Sequence, residues 1–237
     1  MMSTEEPKLA LRLRNVGVSY PLSRRPFNKR VYWALKNISF DLYHGETLGV
    51  LGRNGAGKST LLRLLTGIMA PDKGTMETDG SQVSLLSLGV GFIAHMTGRE
   101  NAILSGLMLG MRRREVEEKM DEIIAFAELD EFIDEQLRTY SSGMLARLAF
   151  SVAFQANPSI LLVDEVLGVG DIEFNQKSTK VMKERIRSNR TVVIVSHHMD
   201  TLRDLCDRVV WIEDGETFME GEAEGILNQY QETYTHV

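Results

Sequence analysis

Cysteine is nearly absent: Cys206 is the only one in 237 residues, so no internal disulfide can form. Packing and hydrogen bonds must hold the fold, which is consistent with a reducing, cytosolic setting. Cys206 lies in the apolar-patterned run TLRDLCDRVV, where its expected role is a buried small hydrophobe. No stretch reaches the roughly 20 apolar residues that cross a bilayer. The opening residues, MMSTEEPKLALRLRN, lack the long apolar core of a secretory signal. Any membrane pore that this protein serves is therefore expected on another chain. Excess positive charge is missing as well. The net charge of −6 argues against a broad nucleic-acid-binding surface. No internal repeat or low-complexity tract is visible.

What is present is an ordinary globular composition, 43% hydrophobic and 25% charged, enough for a sizeable core. The length fits one large α/β domain or two small ones. Residues 11–20 (LRLRNVGVSY) alternate as a half-buried strand does, and Val31 to Leu42 read as further strand beyond a basic loop. TLGVLG (47–52) is a short apolar strand that breaks on glycine, with a helix expected from Lys58 to Thr66. GTMETDG and SQVSLLSL read as strand and turn pieces. Between about Gly98 and Phe154 the pattern turns helical. Val116, Met120, Ile123 and Ala127 recur as one face of an amphipathic helix over Glu115 to Ala127. Strand-like runs return at 159–164 and 191–196, separated by a helix from Ile172 to Arg187. A hairpin, DRVVWIEDGETFMEG, precedes a last helix from about Glu222. Alternating strands and helices predict a parallel sheet with crossovers, and the helical middle reads as an insertion into it.

The chemistry is concentrated in a few places. Gly52-Arg-Asn54-Gly55-Ala56-Gly57-Lys58-Ser59-Thr60 matches GxxxxGK followed by Ser or Thr in full. Its glycines let backbone N–H groups point at phosphate oxygens, and the following helix offers its positive end. Lys58 supplies a point charge for the β- and γ-phosphates of a nucleoside triphosphate, and the Ser59 hydroxyl is expected to ligate Mg²⁺. ILLVDE (160–165) is a buried strand with two carboxylates at its C-terminal end, where open α/β sheets place ligands. Asp164 is expected to hold Mg²⁺, and Glu165 to polarise the attacking water as a general base. TVVIVSHH (191–198) ends in histidines, of which His197 is favoured over His198 to contact the γ-phosphate. YSSGMLARLAF (140–150) runs from hydroxyls straight into a helix, which makes a second phosphate-binding surface or a well-capped helix.

In this order, these elements resemble the ATPases of ABC transporters over essentially the whole chain. That resemblance implies a P-loop NTPase core with an antiparallel β subdomain and an inserted helical subdomain. Residues 1–237 form one such domain, with 1–88 and 157–237 as the core and 89–156 as the helical part. It implies that Ser141, Ser142, Gly143 and Met144 stand where the family signature lies, and that Asp171 in GVGD occupies the loop that communicates across a dimer. Tyr20 is the first candidate to stack on adenine, in competition with Tyr32 and Trp33. Two copies are expected to pack head to tail, Ser142 and Gly143 of one completing the site around Lys58 of the other.

The signature reads SSGM, with Ser and Met in place of the usual Gly and Gln. The glutamine usual between core and insertion is missing from LLSLGVGFIAHMTGREN (85–101). LLSLGVGF with TGREN, YSSGM with RLAF, and DEVLGVGD together resemble exporters of lipid-linked O-antigen, capsule or teichoic-acid chains. That implies a polytopic permease partner, a place at the cytoplasmic face of the inner membrane, and no nucleic-acid partner. Some such exporters append a carbohydrate-binding domain, which is not expected within these residues, since the sequence stops soon after its last helix. Arg24, Arg25, Lys29 and Arg30 form a basic loop, read as solvated or as meeting anionic lipid. The apolar segment Leu85 to Phe92 reads as core strand or as a surface for the membrane subunit.

Overall fold

The computed structural model describes residues 8–22, 30–164 and 168–235. The strands are β1 (Leu9–Pro21), β2 (Val31–Tyr43), β3 (Thr47–Leu51), β4 (Lys73–Thr78), β5 (Val83–Leu85), β6 (Ile160–Asp164), β7 (Thr191–Val195), β8 (Arg208–Glu213) and β9 (Glu216–Glu222). The helices are α1 (Lys58–Leu65), α2 (Gly98–Met108), α3 (Arg113–Glu118), α4 (Met120–Ala127), α5 (Ser142–Gln155), α6 (Ile172–Ile186), α7 (Met199–Leu205) and α8 (Ala223–Thr235). The described strands join in one sheet, ordered β4-β1-β2-β9-β8-β3-β7-β6-β5.

The described residues of Met1–Leu85, Ser159–Glu165 and Ile186–Val237 form one compact unit, and those of Leu86–Pro158 and Val166–Arg185 form another. In the first, β8, β3, β7, β6 and β5 run parallel. Every residue of β3 and β7 is buried, as continuous apolar runs are when both faces of a parallel strand are covered. β1, β2 and β4 pair antiparallel beside them. Leu61, Leu62, Leu64 and Leu65 of α1 share one core with Leu13, Leu35 and Phe40 of that antiparallel layer and with Val50, Leu162 and Val193.

The second unit is helical. Val116, Met120, Ile123 and Ala127 are all buried in its core, but the expected single helix is two. It breaks at Lys119, whose N–H turns back to the Val116 carbonyl at 3.2 Å. That tight turn brings the Lys119 ammonium to the Gln155 carbonyl at 3.0 Å, so a cation meets the C-terminal end of α5.

Four phenylalanines explain why this unit also takes 168–185, a stretch that the sequence reading leaves with the core. Phe126, Phe150 and Phe154 stack at 5.8–5.9 Å, and Phe174 of α6 meets Phe126 edge-on at 5.6 Å. Lys177, also on α6, lies 4.5 Å over the Phe126 ring. The apolar run 85–92 is shared out: Leu85 packs on the first core, while Leu86, Leu88, Val90 and Phe92 pack on the helical one.

Between Phe92 and α2 the backbone is held by one side chain. Asn101 is fully buried; its Oδ1 accepts from the Ile93 N–H at 2.6 Å. Its amide donates to the carbonyls of Ile93, Met96 and Thr97 at 2.8–3.1 Å. Thr97 and Glu100 close a capping box at the start of α2. TGREN is thus a helix start with its own brace for the preceding loop.

Candidate active site

β3 ends at Leu51, and the chain turns through 52–57 into α1. Two glycines are required there by contact. A Cβ on Gly52 would lie 2.4 Å from the Ile212 carbonyl oxygen, so the loop runs against the backbone of β8. Gly57 has φ of 103°, and a Cβ there would lie 2.5 Å from the Ala34 carbonyl oxygen. Gly57 leads into α1 with no side-chain cap, so an anion entering here meets the positive end of the helix dipole. Lys58 Nζ donates to the carbonyls of Gly52 at 2.7 Å and Arg53 at 3.1 Å.

A cavity of about 440 Å³ opens over this loop, within the size range of small-molecule sites. Its walls are Tyr20, Tyr32, Ala34, Asn54, Gly55, Gly57, Lys58, Ser59, Thr60 and Asp164. Asp164 arrives from the end of β6, in register with Val195 of β7. β3 lies beside β7, so the loop and the carboxylate share the C-terminal edge of the sheet.

Tyr20 and Tyr32 are direct partners across β1 and β2, and both line the cavity. They differ in setting. The Tyr20 ring packs on the core, with its hydroxyl 3.4 Å from Thr60 Oγ1. Tyr32 keeps 50% of its surface exposed. Trp33 pairs with Ser19, does not line the cavity, and lies beneath the Lys73 ammonium at 5.3 Å. Gly52 and Ala56 belong to the loop but not to the cavity wall. Ser59 and Asp164 are a hydroxyl and a carboxylate on one wall, hard oxygen donors of the kind Mg²⁺ takes together with phosphate and water.

His197 follows β7 and is exposed, its ring 3.9 Å from that of His198. Ser196 is buried, and its Oγ accepts from the His198 N–H at 3.0 Å. Neither histidine lines the cavity. Glu165 lies outside the described residues, as do Arg24, Arg25 and Lys29.

The remaining predicted residues belong to the helical unit. Ser141 caps α5: its Oγ accepts from the Met144 N–H at 3.1 Å. The Met144 side chain packs on the helical core. Ser142 is exposed on the first turn. A Cβ on Gly143 would meet only Ser141 Oγ, at 3.7 Å, so nothing among the described residues demands glycine there.

Asp171 caps α6, accepting from the Phe174 N–H at 3.0 Å, and pairs with Arg147 of α5. Those two partners hold its carboxyl below the usual range, the Phe174 N–H contributing most. Arg147 also pairs with Glu128, which Lys177 reaches at 2.8 Å. Sequence reasoning does not single out Arg147, although it stands inside the quoted run YSSGMLARLAF; nothing in the spacing marks a partner 24 residues away.

A site of this construction binds a nucleoside triphosphate at a parallel-sheet edge. The chain belongs to the ABC transporter family, whose model matches residues 35–168, and it is an ATP-binding, ATP-hydrolysing subunit coupled to transport. It is 49% identical over 203 residues to the O-antigen export system ATP-binding protein RfbB of Klebsiella pneumoniae, covering 86% of this chain and 82% of the relative. It is 44% identical to the teichoic acids export ATP-binding protein TagH of Lactococcus lactis, covering 86% of this chain and 44% of that one. Among solved structures, the dimeric post-hydrolysis state of the ATP-binding cassette MJ0796, bound to ADP and Pi, matches with a TM-score of 0.70. There the identity is 23%, over 90% of this chain and 98% of that one.

Proposed function

We propose that this subunit powers export of a lipid-linked surface polysaccharide, of O-antigen, capsule or teichoic-acid type, through a separate membrane-spanning partner. The observation that carries this reading is the 49% identity over 86% of the chain to an O-antigen export ATP-binding protein. No described helix is long and apolar enough to cross a membrane, which fits a peripheral subunit at the cytoplasmic face of the inner membrane.

In this reading ATP lies along the loop from Gly52 to Thr60, with its base against the Tyr20–Tyr32 pair. Lys58 moves from its two carbonyls to the β- and γ-phosphates. Ser59 and Asp164 would hold Mg²⁺, which would neutralise charge on the transferring phosphoryl group. Glu165 orients and polarises the attacking water, and His197 contacts the γ-phosphate. A second copy packs head to tail, presenting the N–H groups and hydroxyl of Ser142 and Gly143 to that phosphate. The small side of Gly143, unconstrained by its own chain, leaves room for that approach. Asp171 reports across the pair of copies.

The test is affinity purification of the tagged chain from native membranes, with identification of the integral membrane protein that accompanies it. A six-helix exporter subunit is expected. A solute-importer permease with its binding protein would overturn the polysaccharide reading and leave the ATPase assignment standing.

A further inference from the structure

The family model stops at residue 168, and α8 lies well beyond it. Yet α8 touches the phosphate loop. The guanidinium of Arg53, second residue of that loop, lies 5.2 Å over the ring of Tyr234 on α8. The Tyr234 hydroxyl donates to Glu213 at the end of β8. The same ring packs on Tyr230 at 4.9 Å and on the buried Trp211 at 6.1 Å, so it rests on a fixed aromatic wall. Arg53 and Glu213 also line a cleft of about 200 Å³, with Asn54, Gly55, Ala56 and Asp214. This cleft shares only Asn54 and Gly55 with the nucleotide cavity.

Arg53 is not a neutral point at which to hold the loop. Its carbonyl oxygen accepts from the Lys58 ammonium at 3.1 Å and from the Ala56 N–H at 3.1 Å. Its neighbour Gly52 is already pressed against β8. Fixing the Arg53 side chain on α8 therefore fixes the start of the stretch whose Asn54, Gly55 and Gly57 line the nucleotide cavity. Without that hold, residues 53–56 would have to be ordered when nucleotide binds, and ordering lowers affinity.

We propose that Tyr234 is a positioning residue for ATP binding, acting through Arg53 to preorganise the phosphate loop. The proposal rests on the reading of this loop as the ATP site and assigns α8 a part in that site. It predicts an effect on nucleotide affinity and not on the chemical step, since neither side chain reaches the reacting phosphate.

The experiment is a double-mutant cycle on the full chain, with ATP·Mg²⁺ affinity measured by calorimetry and KM and kcat measured by phosphate release. Tyr234→Ala is expected to weaken ATP binding about two- to fivefold, the range of an exposed cation–π contact, with kcat at saturating ATP within twofold of wild type. Tyr234→Phe keeps the ring and is expected to bind almost as wild type. Arg53→Gln, at an exposed position, should match Tyr234→Ala, and the double variant should be no weaker than either single one.

Unchanged affinity in a folded Tyr234→Ala chain, additive effects in the double variant, or equal losses in Tyr234→Phe and Tyr234→Ala would each overturn the proposal. If Tyr234→Ala does not fold, Arg53→Gln decides: wild-type affinity there overturns it. Failure of the wild-type chain to bind ATP at all would instead sink the site reading.

Discussion

Tyr20 and Tyr32 share a register position and a cavity, yet only one has a face to spare. Tyr20 spends its ring on the core, while Tyr32 is half-exposed over the cavity. Stacking on a base is worth about 1–3 kcal/mol, so Tyr32→Ala is expected to raise the Kd for ATP by about 5- to 100-fold. Tyr20→Phe should leave it within about twofold, because the ring stays and only a 3.4 Å hydroxyl contact is lost. Equilibrium titration with a fluorescent ATP analogue tests this; unchanged affinity in Tyr32→Ala would return the assignment to Tyr20. The sequence named three aromatics without separating them, for a physical reason. β1 and β2 pair through several register shifts between Leu9 and Ser19, and one shifted residue exchanges the faces of every side chain beyond it. The phosphate loop was legible because all its groups are contiguous, although the contacts that require Gly52 and Gly57 come from Ile212 on β8 and Ala34 on β2.

At the scale of elements, the link between α5 and α6 is the one that sequence patterning leaves invisible. Arg147 binds Glu128 and Asp171 at once, with only 20% of its side chain exposed, and its guanidinium lies 5.2 Å over Phe174. Asp171 has its carboxyl pKa depressed in the fold by the Phe174 N–H and by Arg147. A depressed pKa contributes stability above the unfolded value, near pH 4, and that contribution is lost as pH falls through the lower, folded value.

Arg147→Ala is therefore expected to lower the urea midpoint by a few tenths molar at pH 7. The gap should narrow as pH is taken below about 4 and the two carboxylates, both held below their ordinary range, begin to protonate. Urea titrations followed by circular dichroism would show this, and a gap independent of pH would refute the electrostatic account. The helical periodicity over 115–127 correctly gave the buried face. It could not show the break at Lys119, because the break serves a carbonyl 36 residues away.

On the scale of the whole molecule, the order of elements was legible in the sequence, but the helical unit takes more of the chain than local patterning shows. Residues 168–185 join the helical unit through Phe174, Lys177 and Arg185, contacts to residues 126–156 that no local pattern encodes. The shared-site reading makes its own prediction at this scale. Glu165→Gln should bind ATP but turn it over at least about 100-fold more slowly, the least that loss of a general base costs. It should then double in mass by light scattering when ATP and Mg²⁺ are added. The same chain carrying Ser142→Arg as well should bind ATP and remain a monomer. Near-normal turnover in Glu165→Gln would remove that residue from the mechanism.

The lodging of the Lys58 ammonium on the carbonyls of Gly52 and Arg53 has a consequence for selectivity. An incoming anion does not meet a bare cation; it must compete with two charge-assisted hydrogen bonds, each worth roughly 1.5–3 kcal/mol. A lone orthophosphate brings little beyond its own exchange for those bonds. A triphosphate brings three linked groups, so the later ones engage at high effective concentration once the first is held. The loop's own backbone thus acts as a threshold that filters ligands by the number of phosphates they carry.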